Sequence, residues 1–268
     1  MSICSVIQDP LANAAALFAS QGVTPQTIDY YDIFPQQAPN FGAQMLQAVY
    51  DFHEGSGTTV DDIYNSNNGT ITGGTWQSGT KSLLLSGTSS LITTPLSYPA
   101  GNGGWEQAIL CRGAATSGSA FEAIIGQLNT TAQIGGVCVI ANYNGGVTPY
   151  FETKSSVSGM SANGPTTFNS NVWHILFLSV QTVAGETTAY VYDENGTQQI
   201  VTGASSTYIN YSQGNILIGD AVNFEPGYNG QVAFWAHWSA PLTQSQRTQA
   251  SAYIQNNILP AKGIVLGT

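Results

Sequence analysis

The stretch Val49-Tyr50-Asp51-Phe52-His53-Glu54-Gly55-Ser56-Gly57-Thr58-Thr59-Val60-Asp61-Asp62 decides the fold, because a short alternating strand runs straight into a glycine-rich turn and a paired acidic step. Far downstream the chain reads Tyr228-Asn229-Gly230-Gln231-Val232-Ala233-Phe234-Trp235-Ala236-His237-Trp238, then Pro241-Leu242-Thr243. This second stretch reads as the closing strand that pairs back with the first, bracketing one sandwich. Working outward, alternation at period two and turn chemistry predict strands over 48–52, 81–85, 107–111, 121–128, 134–141, 173–181, 187–192, 215–219 and 231–238. Asn144-Gly145-Gly146 and Glu194-Asn195-Gly196 read as hairpin turns, since Asn-Gly takes the positive φ of tight turns. Two antiparallel sheets packed face to face would bury their inward rows, with Trp173, Phe177, Leu217 and Trp235 expected in the core.

Composition points to the same all-β class. The chain holds 30 Gly, 11 Pro and 13 Tyr with only 7% charged residues, the profile of many short strands joined by turns. Five Lys and Arg against 15 Asp and Glu give a net charge of −10, too few cations to neutralise phosphates, so nucleic acid is excluded as a main ligand. Lys81, Arg112, Lys154, Arg247 and Lys262 are scattered, which excludes an anionic-lipid patch, and no apolar run approaches the roughly 20 residues of a bilayer span. Cys4, Cys111 and Cys138 lack metal-ligand spacing. At most Cys111 and Cys138 could pair, and two small inward hydrophobes are the better reading.

Residues 1–45 read as a separate arm, and 46–268 as one domain. Met1 to Phe18 carries no positive residue, which is not the pattern of a usual secretory signal. Asp9 can cap a short helix opened by Pro10 and continued to Ala19. Pro25, Pro35 and Pro39 then punctuate a segment carrying Tyr30, Tyr31, Ile33 and Phe34, with two readings: it covers an edge of its own domain, or it docks on a neighbouring subunit or larger assembly through Tyr30, Tyr31 and Phe34. At the other end, Thr243-x-x-Gln246 forms a capping box for a helix that Pro260 should stop, expected to seal one end of the sandwich.

The opening and closing stretches resemble the LamG-like, concanavalin A-like jelly-roll family. Further motifs in the family's order are Asn65-Ser66-Asn67-Asn68-Gly69-Thr70, Ser82-Leu83-Leu84-Leu85-Ser86-Gly87, Trp173-His174-Ile175-Leu176-Phe177-Leu178, Ala189-Tyr190-Val191-Tyr192-Asp193-Glu194-Asn195-Gly196 and Asn215-Ile216-Leu217-Ile218-Gly219, together covering residues 46 to 258. The resemblance implies an antiparallel two-sheet jelly roll. It also implies a role as a frequent component of virion fibres and decorations, which directs the expectation to a virion-surface structural protein, capsid decoration, fibre or tail-associated, and a homo-oligomer. A bacterial surface or extracellular lectin, adhesin or carbohydrate-binding module is the alternative.

Catalysis is not expected. Glycoside hydrolysis needs two carboxylates across the sugar, and the Glu-x-Asp-x-Glu strand of β-glucanase-like relatives is absent; Asp61-Asp62 and Asp193-Glu194 are consecutive and would point to opposite strand faces. His53, His174 and His237 lie in or beside expected strands and read as structural, and no Cys/His cluster suggests zinc. No cofactor is expected; calcium could be held by Asp61, Asp62 and Asn65, or by Asp220 and Glu225, but solvated turn residues are the better reading. Carbohydrate recognition needs aromatic faces for the sugar's apolar side and amides for its hydroxyls. Asn142, Tyr143, Asn144 and Tyr150, Trp105 beside Gly101-Asn102-Gly103-Gly104, and Asn223 with Tyr228 have that chemistry.

Overall fold

In the computed structural model, residues 45–98, 104–113, 121–126, 136–142, 148–154, 159–163, 171–183, 186–201, 214–220 and 227–267 are described. The expected arm, 1–45, lies outside them except for Met45, and with it Cys4, Tyr30, Tyr31 and Phe34.

The chain opens with β1 (Leu46–Tyr50), β2 (Thr59–Val60), β3 (Gly69–Thr72), β4 (Thr75–Gln77), β5 (Ser82–Ser86) and β6 (Leu91–Thr93). Then follow β7 (Trp105–Gly113), β8 (Phe121–Gly126), β9 (Gly136–Asn142), β10 (Thr148–Lys154) and β11 (Gly159–Asn163). The last strands are β12 (His174–Val183), β13 (Glu186–Tyr192), β14 (Gln198–Val201), β15 (Leu217–Ile218) and β16 (Asn229–Trp238). They make two eight-stranded sheets: sheet A, ordered β14-β13-β12-β7-β16-β5-β4 with β1 also on β16, and sheet B, ordered β11-β10-β9-β8-β15-β6-β3-β2. Every ladder is antiparallel, for example β12 on β7 and β9 on β10. This is the expected all-β jelly-roll sandwich, and its closure is the one the two outer stretches announced: Leu46 lies opposite Trp238 and Tyr50 opposite Trp235. β5 takes the first half of the same edge of β16, from Asn229 to Val232.

Sheet A is buried on both faces, so β7 reads as an unbroken apolar run through Ala108-Ile109-Leu110-Cys111 instead of an alternation. One cluster fills the space between the sheets: Trp105, Ile109, Cys111, Leu178 and Trp235 from sheet A meet Ile71, Ile92, Ile125 and Ile218 from sheet B. The second lies on the outer face of sheet A, where Leu110, Phe177, Phe234 and Trp238 pack against Ile254, Ile258 and Leu259. Trp173, Phe177, Leu217 and Trp235 are all buried as expected, but Trp173 and Phe177 belong to the outer cluster.

The C-terminal helix therefore covers a sheet face and does not seal one end of the sandwich. Its first part, α1 (Gln244–Tyr253), begins with the expected reciprocal box between Thr243 and Gln246. Pro260 does not stop it. A π-helical turn, Ile254–Ile258, widens the backbone so that Leu259 donates to the Ile254 carbonyl, and α2 (Leu259–Lys262) runs on through Pro260 to a left-handed Gly263 at φ 61°. A proline's missing N–H and its clash with the carbonyl four residues back are tolerated where the ladder has already slipped register. The helix is bolted to sheet A by a buried pair. Arg247 donates to both oxygens of Glu106, at 2.6 and 3.0 Å, and lies 3.7 Å over the Tyr192 ring.

Candidate functional site

β1 ends at Tyr50, two residues before the expected boundary, because Phe52 sits at φ 56° and turns the chain out of the sheet. Glu54 and Asp61 are then joined by a turn in which Gly55 (φ 70°) and Gly57 (φ 91°) occupy conformations that only glycine adopts readily. The indole N–H of Trp76 donates to the Gly57 carbonyl at 3.0 Å and pins the turn. The fold-back brings Asp61 to Glu54, whose Oε1 accepts the Asp61 backbone N–H at 2.5 Å. His53 Nδ1 lies 2.5 Å from Asp51 Oδ1 and 4.0 Å from Glu54 Oε1. One ligand atom each from His53, Glu54 and Asp61 thus falls within 4.8 Å of the others.

This cluster is strongly acidic and half buried. Asp51 is fully buried, and its Oδ2, like Glu54 Oε2, has no hydrogen-bond partner among the described residues. The Asp51 hydrogen bond raises the His53 imidazole to about 8, against the opposing effect of burial and with help from the charges of Asp51, Glu54 and Asp61. Burial raises the Glu54 carboxyl above the usual range.

The neighbouring Asp62 does something else. Its Oδ1 accepts the backbone N–H groups of Val49 and Tyr64 at 2.8 and 3.0 Å, and its Oδ2 those of Asn65 and Asn67 at 3.0 and 2.9 Å. Asn65 Nδ2 donates to the carbonyls of Leu46 and Gln47, both at 3.1 Å. Asp62 and Asn65 therefore tie the turn to β1, and the expected trio Asp61, Asp62 and Asn65 is not a ligand set: backbone amides already fill the Asp62 carboxylate. Of the other candidate pair, Asp220 is half-buried and Glu225 lies outside the described residues.

Two expected sugar-binding residues are misplaced. Trp105 is fully buried and stacks on Tyr98 at 4.4 Å between ring centroids. Tyr228 is 1% exposed in the same inter-sheet core. Each occupies an inward position, so neither ring is presented to a ligand. Asn142 and Tyr150 fall on the hairpin of β9 and β10, with Asn142 opposite Thr148 and Tyr150 opposite Ile140 and Asn163. By register, positions 142, 150 and 163 form one alternate set of sheet B; Val139, opposite Ile125, belongs to the other, whose Ile125 and Ile218 enter the core. Tyr143, Asn144 and the rest of that turn, and Asn223, lie outside the described residues.

The second expected turn is present with a different geometry. Of Asn195-Gly196 only Gly196 takes positive φ (72°), and Asp193 Oδ1 accepts the N–H groups of Asn195 and Thr197 at 2.9 and 2.8 Å. A groove of about 250 Å³ lies between this turn and the helix, lined by Glu194, Asn195, Thr248, Ser251, Gln255 and Asn256 among others. Cys111 is a free, buried thiol that burial pushes up to about 12, in line with a small inward hydrophobe. His237 is buried as well, its imidazole driven down to about 3 by loss of water, and among the described residues neither its Nδ1, Trp235 Nε1 nor the Gln107 amide has a hydrogen-bond partner. His174 is half-buried at the start of β12, opposite Cys111. No helix among the described residues is long and apolar enough to cross a membrane.

No family model matches this chain, and no curated protein matches it. Solved structures do. Domain 4 of AbnA, a GH43 extracellular arabinanase from Geobacillus stearothermophilus, in complex with arabinotriose, is similar at 17% identity with a TM-score of 0.54, over 77% of this chain and 98% of that one. The binding domain of Paraclostridial Mosquitocidal Protein 1 is similar at 12% identity and a TM-score of 0.60, over 79% of this chain and 53% of that one. Trypanosoma rangeli sialidase is similar at 11% identity and a TM-score of 0.58, where the match covers 82% of this chain but only 34% of the sialidase. At these identities the likeness is one of fold.

Proposed function

We propose that this chain is a non-catalytic, lectin-like carbohydrate-binding jelly roll, displayed as a structural component of a virion surface, with its N-terminal arm docking on the particle. The observation that carries the binding part is the match over nearly the whole of a single domain solved with an arabino-oligosaccharide on it. We assign such a surface to sheet B, a reading supported by the C-terminal helix packing on the outer face of sheet A. On sheet B the register gathers Asn142, Tyr150 and Asn163 into one alternate set, and Tyr143 and Asn144 follow Asn142 in the sequence. An amide and a phenol ring are what a sugar's hydroxyls and apolar face require.

The virion part is supported by the aromatic, proline-punctuated composition of residues 1–45 and by the scarcity of Lys and Arg. A carbohydrate-binding module working as part of a larger enzyme or toxin is the second reading, favoured by the company the fold keeps: a domain of an arabinanase and the binding domain of a mosquitocidal protein.

The test has two arms. Arabino-oligosaccharides and sialylated glycans are titrated into the purified chain, and the same samples are chromatographed for cleavage products. Binding without products is expected. Cleavage that disappears in Glu54→Gln or Asp61→Asn would replace this reading with a hydrolase. For display, deletion of residues 1–45 is expected to abolish incorporation into particles while glycan binding survives; unchanged incorporation would favour the module reading.

A further inference from the structure

We propose that a row of side chains on the outer face of sheet A, Arg112, Gln231, Leu84 and Thr75, receives an extended segment of a partner protein that presents a single carboxylate to Arg112. The ladder lays the row out. Arg112 lies opposite Gln231, Gln231 opposite Leu84 and Leu84 opposite Thr75, so β7, β16, β5 and β4 each place one residue in line. Their chain neighbours Cys111, Val232 and Leu83 enter the inter-sheet core and Trp76 packs against it, which by alternation turns the row outward. The row is not sealed under the C-terminal helix: Leu84 belongs to neither apolar cluster, Arg112, Gln231 and Leu84 are half-buried, and Thr75 is exposed.

Arg112 and Gln231 set the chemistry. The Arg112 guanidinium lies over the Trp173 ring, 5.5 Å from its centroid, and among the described residues no carboxylate or carbonyl accepts from it, whereas Arg247 is spent on Glu106. Stacking occupies the face of the guanidinium and leaves its edge of N–H donors, the part that pairs with a carboxylate through two parallel bonds. The Gln231 amide is oriented independently. Its Oε1 accepts from Ser82 Oγ at 3.1 Å and from Thr80 Oγ1 at 3.4 Å, which holds the acceptor end on the β5 side and turns the Nε2 donor end away from it. Guanidinium and amide thus offer donors and no acceptor.

The rest of the row selects the kind of partner. Trp173 is buried with Arg112 over its ring, and the row holds no other aromatic face, so a sugar has no platform here. Strands about 4.8 Å apart make the row about 14 Å long, which matches about four residues of extended chain at 3.3 Å each. Leu84 meets an apolar side chain and Thr75 a polar one. With one guanidinium in a chain of net charge −10, the partner brings one carboxylate and not a run of them.

The full chain is screened on an array of extended hexapeptides, each carrying one Asp, one Glu or a free C-terminal carboxylate, beside amide twins with Asn, Gln or a blocked terminus. A subset bound at least about tenfold better than its twins, and less so as salt rises, is expected. Arg112→Gln should erase that preference. Because Arg112 also packs on Trp173, a second variant separates binding from folding: Gln231→Glu keeps oxygens that accept from Ser82 and Thr80, pairs with Arg112 across the ladder, and should lose the preference while melting like the parent. Peptides and amide twins bound alike, or a preference kept in either variant, would overturn the assignment. Sialyllactose competing with the bound peptide at equal or lower concentration would overturn it in favour of an acidic sugar.

Discussion

Single residues carry more of this fold than their number suggests. Asp62 accepts four backbone N–H groups that would otherwise be orphaned where β1 meets the turn. Its replacement by alanine should cost about 2 to 4 kcal/mol, read as a lower urea midpoint at unchanged slope. Asp62→Asn should fall between, since it keeps one acceptor oxygen. His237 makes a pH prediction. The unfolded chain takes up a proton near pH 6.5, but the folded chain, with His237 near 3, does not. Stability from this residue is thus complete above pH 6.5 and is lost as pH falls toward 3, by about 1.4 kcal/mol per unit. A pH series of unfolding curves should lose that slope in His237→Phe. Neither role is legible in the sequence, where Asp62 looks like a solvated turn acid and His237 like one more strand polar residue.

At the scale of elements, the helix on sheet A is the part whose removal tells most. Glu106 and Arg247 are buried against each other, Arg247 also donating to the Leu242 carbonyl at 3.0 Å. Arg247→Ala leaves a buried carboxylate uncompensated and should destabilise by about 3 to 5 kcal/mol, measured by chemical denaturation. Thr243→Ala removes only a cap and should cost about 1 kcal/mol. Long strands and the capping box were readable from the sequence, because alternation and helix-start chemistry are local signals. The strands that escaped, such as β2, β3, β4 and β6, are two to four residues long, too short to show a period. β10 holds Tyr150 and Phe151 but also Pro149, which argues against a paired strand, and β11 reads Gly159-Met160-Ser161-Ala162-Asn163, which lacks strand composition. The helix's passage through Pro260 depended on a π turn that no local rule announces.

At the largest scale, the described residues form a sandwich in which sheet A is enclosed twice, between sheet B and the helix, and this decides which aromatic rings are buried. Trp105 and Tyr228 looked like sugar platforms because aromatic residues beside glycine and asparagine fit both a rim and a core; burial separates the two, and sequence alone does not give burial. The acidic cluster escaped for the opposite reason. His53, Glu54 and Asp61 are brought together only by a glycine turn whose three-dimensional closure the spacing does not display. Truncation before Gln244 should expose Leu110, Phe234 and Trp238 and yield aggregated protein, whereas the intact chain with Arg247→Lys should remain dispersed, a contrast light scattering can read.

The glycan-binding surface proposed for this protein lies on sheet B. A glycan microarray probed with the intact chain and with the Asn142→Ala, Tyr150→Ala double variant tests it most directly. Selective binding to a small set of glycans, lost in a variant that unfolds at the parent's temperature, is the predicted result. An array with no selective binding, or the same binding in both proteins, would contradict it.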